Sequence, residues 1–163
     1  VLCQWGLTLM DPIMPVLNEV ARVVARGGRF AVLVDGPMDA TQGYEAVHDL
    51  IYRHVQARLP DYGLRDLGDQ RVRNANSLVT LIEEAFPGSS VSAETGVVTM
   101  SGPARAVAEE ASGFFYAAFV LSPSARERML KDLTRLLADQ STGQVATFNM
   151  PISRIVADVS ERR

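Results

Sequence analysis

This sequence of 163 residues contains few cysteine and histidine side chains, the types most often used as nucleophiles, bases and metal ligands. Cys3 is the only cysteine, and His48 and His54 are the only histidines, so a disulfide framework, a thiolate cluster and most histidine-built metal sites are excluded. Asp35 follows an apolar run at residues 30–34, and ligands of open α/β sheets bind beside the carboxyl ends of strands. His48 lies on the apolar face of a predicted helix. It could act as a catalytic base, although a histidine in such a position is more commonly a packed, half-buried residue. We therefore expect no metal site.

The element that must position such side chains is residues 18–34, which read as a helix, a double glycine and a strand. The helix is predicted to begin near Pro15, and Gly27 to close it in a left-handed conformation. Residues 30–34 show no polar alternation, which is typical of a parallel strand covered by helices on each side. This unit is half of an α/β repeat. The apolar face of its helix has i, i+3, i+4, i+7 spacing: Leu17, Val20, Ala21 and Val24.

Further helices are predicted at residues 41–58, 77–86, 103–120 and 124–139. Asn76 is a candidate N-cap for the second of them. The predicted inward face of the first is Tyr44, Val47, His48, Ile51 and Val55. The third carries four aromatic residues, which are a lid over an apolar pocket or, more simply, core: Phe114, Phe115, Tyr116 and Phe119.

The remaining segments are predicted to be loop or strand. Residues 61–76 read as a surface loop, and residues 90–100 as a strand with a bulge or bend at Gly96. Residues 145–159 read as an extended segment that lies partly at an edge or bend because it contains Pro151. His54 is predicted to be solvated.

Composition limits the class of protein. Apolar residues make up 47% and the net charge is −3, so there is no electrostatic case for a nucleic-acid or membrane partner. No apolar run reaches the roughly 20 residues that a membrane span needs, and no signal peptide is evident. With a single cysteine, these features favour the cytoplasm. The chain begins with residues 1–3 as the apparent end of a buried strand, so we expect a fragment, the alternative being a processed or tagged terminus.

One resemblance rests on residues 2–34. The run LCQWGLTLMDP followed by NEVARVVARGGRFAVLV resembles the second half of class I S-adenosylmethionine-dependent methyltransferases, in the small-molecule branch of ubiquinone and menaquinone biosynthesis. The matching residues are Cys3, Gln4, Gly6, Leu7, Asp11, Pro12, Glu19, Arg22, Val23, Gly27 and Gly28. The resemblance implies an α/β fold that is the C-terminal part of a Rossmann-like sheet, with parallel strands flanked by helices and a final antiparallel strand. In family order these are strands four, five, seven and six.

The family's main cofactor-binding elements have no counterpart in this sequence. No Gly-x-Gly-x-Gly turn occurs, and strands one to three would be absent. We therefore expect one partial domain over residues 1–163, with a helical insertion at about 103–139. We also expect that it does not bind S-adenosylmethionine tightly or turn over alone, and that it needs its missing N-terminal half or a partner chain to complete the sheet.

The resemblance also implies site residues. Gln4 and Gly6, with Cys3 and Trp5, would line the cofactor's methionine end, the alternative for Cys3 and Trp5 being packing. Asp35, Met38, His48 and Phe115 would border a small-molecule acceptor, although a turn or core role explains each of them too. A catalytic base is not identified, and the acceptor atom (O, N or C) is open. Two other functions stay open: a non-catalytic binding module, and an interaction subunit that completes its sheet with another chain.

Overall fold

The structure, a computed structural model, describes residues 1–63, 68–141, 143 and 145–160. This part of the chain contains the strands β1 (Leu2–Gln4), β2 (Arg29–Asp35), β3 (Ser90–Gly102) and β4 (Ala146–Asp158). Its α-helices are α1 (Ile13–Val23), α2 (Tyr44–Gln56), α3 (Ala75–Ala85), α4 (Ala104–Ser112) and α5 (Pro123–Asp139). Short 3₁₀ helices lie at Gly6–Leu9, Gln70–Arg73 and Tyr116–Val120.

The strands form one mixed sheet in the order β1-β2-β4-β3. β1 and β2 are parallel, with Cys3 opposite Val32, and α1 connects them. β4 is antiparallel to β2, with Asp35 opposite Ile152. The α/β class, the parallel pair and the final antiparallel strand are therefore confirmed, and the order is the four-five-seven-six order that the resemblance implies.

The chain divides into two compact units. The first unit comprises Val1–Pro37, Asp66–Gly96 and Ile152–Arg163, and the second comprises Met38–Arg65 and Val97–Pro151. The helices of the predicted insertion at 103–139 belong to the second unit, together with α2. The single partial domain stays a prediction.

The core of the first unit forms where α1 and α3 pack against β2. Phe30, Val32 and Val34 alternate along the strand and are at most 1% exposed, and burial of each contributes roughly 1.5–3 kcal/mol. The intervening Ala31 and Leu33 are only half-buried. The rest of this core is Leu7, Ile13, Leu17, Val72, Leu78, Leu81, Ile82, Ala85, Phe86, Ile155 and Ala157.

Two predicted helix boundaries in the first unit are wrong. α1 begins at Ile13, before Pro15, and ends at Val23, because the next residue is already extended. Gly27 has the expected left-handed backbone (φ 68°), but its N–H donates to the Val159 carbonyl at 3.1 Å. It therefore belongs to the turn into β2 and does not close the helix.

The predicted start of α3 is also wrong. Asn74, and not Asn76, caps the helix, since its side-chain oxygen accepts from the Ser77 N–H at 3.0 Å. Before it, Gln70–Arg73 forms a 3₁₀ helix with Val72 buried, so residues 61–76 are not simply a surface loop. Residues 64–67 of that predicted loop lie outside the described residues.

The second unit has its own core, in which α2 packs against α5 and α5 against α4. The predicted stripe of α2 is confirmed for four of its five residues, and His48 is half-buried; the buried four are Tyr44, Val47, Ile51 and Val55. The predicted helix at 103–120 is wrong, because α4 ends at Ser112 and the Gly113 N–H closes the turn on the Glu110 carbonyl. This break lets Phe115 turn inward, whereas Phe114, Tyr116 and Phe119 are exposed.

The sheet order tests two predictions about the strands. The part of β4 from Ile152 onward lies between β2 and β3, whereas Pro151 and the residues before it have no partner in β2. The segment therefore lies partly at an edge, as predicted, and Pro151 interrupts no pairing with β2. The second prediction is wrong. β1 is an edge strand of this sheet, and Val1 and Leu2 are 56% and 64% exposed, so they do not end a buried strand.

Candidate functional site

The candidate site begins where β1 and β2 end side by side. Gln4 is opposite Leu33, and the backbone N–H of Trp5 donates to the Leu33 carbonyl at 2.9 Å, which extends the parallel pairing by one residue. Trp5 then adopts a left-handed backbone conformation (φ 53°) and turns the chain into the 3₁₀ helix. Carboxyl ends of adjacent parallel strands are where α/β sheets bind ligands.

A hydrogen bond joins two of the predicted site residues at this edge. The indole Nε1–H of Trp5 donates to Oδ1 of Asp35 at 2.7 Å. Trp5 is half-buried and Asp35 exposed. Because an ionised carboxylate accepts several hydrogen bonds, Asp35 retains capacity for a ligand hydroxyl or ammonium group. The bond also orients the indole ring, whose face can attract a cation.

Thr8 stabilises the turn at Trp5, a role that the sequence did not indicate. Its hydroxyl donates to the Trp5 carbonyl at 2.6 Å, and the residue is only 7% exposed. A non-glycine residue in the left-handed region costs about 1–2 kcal/mol, so surrounding contacts must hold Trp5 there. A hydroxyl three residues after a tryptophan is too common a pattern to have predicted this role.

The other predicted cofactor residues differ in their surroundings. Cys3 is half-buried and packs against the core of the first unit. A Cβ on Gly6 would lie 3.2 Å from the Cys3 Sγ, so glycine allows the turn to pass close to the thiol. Gln4 is exposed. The packing role of Cys3 is the simpler interpretation, and a ligand contact by Gln4 stays a prediction.

The remaining predicted residues lie in the second unit. His48 stacks on Tyr52 with ring centroids 4.2 Å apart, and its centroid lies 6.1 Å from that of the buried Phe115. Its Nδ1 is 3.1 Å from Oδ1 of Asp49. The structure thus brings His48 and Phe115 into one aromatic cluster, as a packed histidine requires. Met38 is 42% exposed, and a role for any of the three in acceptor binding stays a prediction.

The described residues were also compared with the requirements of a metal site and of a membrane span. In the described ranges, no three His, Cys, Asp or Glu side chains lie close enough together to hold a metal ion. Within those same ranges, no helix combines the length and apolar character of a membrane span. His54, predicted to be solvated, is instead half-buried, with Nε2 3.1 Å from Oδ2 of Asp132.

Comparisons with known proteins identify no family. No family model matches the chain, and no curated protein matches its sequence. Among solved structures, it is similar to a candidate methyltransferase from Bacillus halodurans, at 14% identity over 98% of this chain and 63% of that one, with a TM-score of 0.46. It is also similar to the YcgJ protein of Bacillus subtilis, at 15% identity over 99% and 63%, with a TM-score of 0.45.

A third similar structure is a phosphoethanolamine N-methyltransferase 2 from Haemonchus contortus, solved with phosphomonomethylethanolamine and S-adenosylhomocysteine. Its identity is 9% and its TM-score 0.42, over 98% of this chain and 33% of that one. The chain thus spans 63% of the length of the first two structures. At these identities and TM-scores, the three similarities establish neither an activity nor a ligand for this chain.

Proposed function

We propose that the intact protein transfers a methyl group from S-adenosylmethionine to a small-molecule acceptor. In this proposal the chain supplies strands four to seven of a class I methyltransferase sheet, in the ubiquinone and menaquinone branch. The strand order β1-β2-β4-β3 supports it, because the last strand is inserted antiparallel beside β2. The resemblance of residues 2–34 to the family implies the same order.

The observation that carries the proposal is the Trp5–Asp35 hydrogen bond at the carboxyl ends of β1 and β2. These residues suit the amino-acid end of the cofactor, because an indole face attracts a sulfonium and a carboxylate accepts from an ammonium group. When bound, S-adenosylmethionine supplies a methyl group activated by its positive sulfur. Trp5 and Asp35 would bind and orient that end of it, and exposed Gln4 would add a hydrogen bond.

The rest of the cofactor lacks partners in this sequence, since it has no glycine-rich turn of the family type. We therefore propose that the 163 residues alone bind the cofactor weakly and are inactive. Methyl transfer is an in-line displacement, so alignment of the acceptor contributes more than a protein base, which is needed only for an acceptor of high pKa. Of the four residues expected to contact the acceptor, Met38, His48 and Phe115 stay candidates, whereas Asp35 is assigned here to the cofactor because it accepts the Trp5 hydrogen bond.

The test uses Trp5 as a reporter, because it is the only tryptophan of the 163 residues, and a Trp5→Phe variant of the full-length product separates its emission from that of any other tryptophan. S-adenosylhomocysteine is titrated into the full-length gene product and into the 163-residue chain, with tryptophan emission and calorimetry recorded. We expect saturable binding and an emission change in the full-length product only. Asp35→Asn should weaken binding about tenfold, as loss of a charge-assisted hydrogen bond does. Glu83→Gln, an exposed carboxylate on α3, is the matched control and should change nothing.

Different outcomes contradict different parts of the proposal. Tight calorimetric binding by the 163-residue chain would exclude the statement that it lacks most of the cofactor site. Binding by the full-length product without any change in Trp5 emission or any effect of Asp35→Asn would exclude this edge as the site. If the full-length product does not bind, the proposed activity itself is wrong.

One observation favours the alternative, an interaction module that completes its sheet with another chain. β1 is an edge strand with exposed Val1 and Leu2, and an exposed edge can pair with a strand of a partner. A stable complex with a second chain, formed by a full-length product that ignores S-adenosylhomocysteine, would be the result expected from this alternative.

A further inference from the structure

A groove of about 400 Å³ runs between α2 and α5, within the second unit. This volume suits a small molecule. α2 lines it with Leu50, Arg53 and His54, and α5 lines it with Asp132, Arg135, Leu136 and Asp139. Each set has the i, i+3, i+4 spacing of one helical face, so the groove is formed by one face of each helix and not by a loop.

One wall of the groove is held by a shared carboxylate. Asp132 lies 3.1 Å from Nε2 of His54 through Oδ2, and Oδ1 accepts from Nη1 of Arg135 at 3.3 Å. Both oxygens of Asp132 are therefore engaged, and the positive charge of Arg135 is offset by its carboxylate. The His54–Asp132 contact joins α2 to α5 at the groove.

The groove also contains one positive and one negative side chain outside these contacts, Arg53 and Asp139. Among the residues that the structure describes, neither the Arg53 nor the Asp139 side chain has a hydrogen-bond or ion-pair partner, and both residues are exposed. Asp139 is the last residue of α5, whose final turn contains no basic residue. A carboxylate at the negative end of a helix dipole is unfavourable, and a cation beside it relieves the repulsion. Arg53 presents a guanidinium, which binds carboxylate or phosphate groups in a bidentate manner.

We propose that this groove binds a small zwitterion. Its ammonium group pairs with Asp139 and its carboxylate or phosphate with Arg53, and its alkyl part lies on Leu50 and Leu136, which are half-buried. The charged side chains of the lining, apart from His54, are two arginines and two aspartates, so an anion alone or a cation alone meets as much repulsion as attraction. This site goes beyond the proposed methyl transfer and does not depend on it.

The test compares the binding of a zwitterion to the intact protein with the binding of two analogues that each carry only one of its charged groups. 6-Aminohexanoate, hexanoate and hexylamine are titrated while the backbone amides of α2 and α5 are followed by NMR. We expect saturable shifts at the groove with 6-aminohexanoate, and binding at least about tenfold weaker for each singly charged compound, since each loses one charged contact. 3-Aminopropyl phosphate, compared with 6-aminohexanoate, distinguishes a phosphate ligand from a carboxylate ligand.

Variants make the assignment specific. Arg53→Gln and Asp139→Asn should each weaken binding about tenfold, because each removes one charged contact. Arg128→Gln, an exposed arginine of α5 outside the groove, should leave it unchanged. The exchanged variant Arg53→Glu with Asp139→Lys should regain binding, because the zwitterion can reverse. Equal binding of the singly charged compounds, shifts outside the groove, or no effect of either single substitution would overturn the proposal.

Discussion

Two glycines of the first unit allow the cost of a backbone clash to be measured separately from the cost of a left-handed residue. Gly68 and Gly88 have similar backbone angles, φ 70° and 79°. A Cβ on Gly68 would lie 2.3 Å from the Thr8 carbonyl oxygen and 2.8 Å from the Thr8 carbonyl carbon. A Cβ on Gly88 would meet nothing within 4 Å. Alanine at the two positions therefore differs by the clash alone.

The expected magnitudes follow from these contacts. Alanine in the left-handed region costs about 1–2 kcal/mol, and the stiffer unfolded chain returns roughly 0.4–1 kcal/mol. We therefore expect Gly88→Ala to lower the free energy of unfolding by about 1 kcal/mol. At Gly68 the neighbour is main chain and cannot rotate away, and such overpacking adds about 1–3 kcal/mol. Gly68→Ala should therefore cost about 3 kcal/mol.

The assay is urea unfolding followed by the fluorescence of Trp5, which belongs to the same unit as both glycines. Gly68→Ala should also change the emission of the folded protein, because Thr8 hydrogen-bonds the Trp5 carbonyl and must move. Equal losses of stability for the two variants would refute the clash. Unchanged native emission in Gly68→Ala would refute the link from Gly68 through Thr8 to the candidate site.

Three further predictions concern local hydrogen bonds. Thr8→Val should lower the free energy of unfolding by about 1 kcal/mol and shift Trp5 emission, because it removes the 2.6 Å hydrogen bond to the Trp5 carbonyl. The control, Thr80→Val, removes an exposed hydroxyl and should change neither quantity. Both variants are measured by urea unfolding. Asn74→Ala should lower the melting temperature through loss of about 1 kcal/mol of capping, whereas Asn76→Ala, inside α3, should not; equal effects would contradict the assigned cap. The hydrogen bonds from Arg71 lower the pKa of Asp69, so this carboxylate stabilises the fold above its unfolded pKa, and that stability is lost as pH falls through the folded pKa. Unfolding measured across acidic pH should show a shallower loss in Arg71→Gln, and an unchanged profile would contradict the pair's contribution.

Local periodicity predicted what depends on local sequence. The buried stripe of α2 could be read from the spacing of Tyr44, Val47, Ile51 and Val55, because a helix of that length has one face for its core. The helix–turn–strand unit from α1 to β2 was equally readable. The end of α4 was not, because the four aromatic residues after it cover more of a helix than one buried stripe, and only packing in the core determines that Phe115 alone of them is buried.

Sheet position depends on pairing between distant segments, and the residue pattern did not specify it. Pro151 indicates a segment that lies partly at an edge, but it does not indicate that β4 pairs with β2 from Ile152 onward and so lies inside the sheet there. The exposed Val1 and Leu2 likewise reflect the place of β1 in the sheet and not their own hydrophobicity. The correct four-strand order came from the family resemblance, and periodicity alone would not have selected it.

In the candidate site, too, some features could be predicted from the sequence and others could not. That Trp5 and Asp35 end neighbouring strands follows from one crossover, so their proximity was predictable once β1 and β2 were taken as parallel. That they are hydrogen-bonded depends on the left-handed backbone of Trp5, which its own sequence does not favour. The Thr8 hydroxyl holds that turn, and the backbone of Thr8 is in turn held close to Gly68, sixty residues away in the chain. The geometry of the proposed cofactor edge is therefore set partly from outside the motif, and a chain that kept residues 2–35 but changed Gly68 should keep the resemblance and show an altered Trp5 turn.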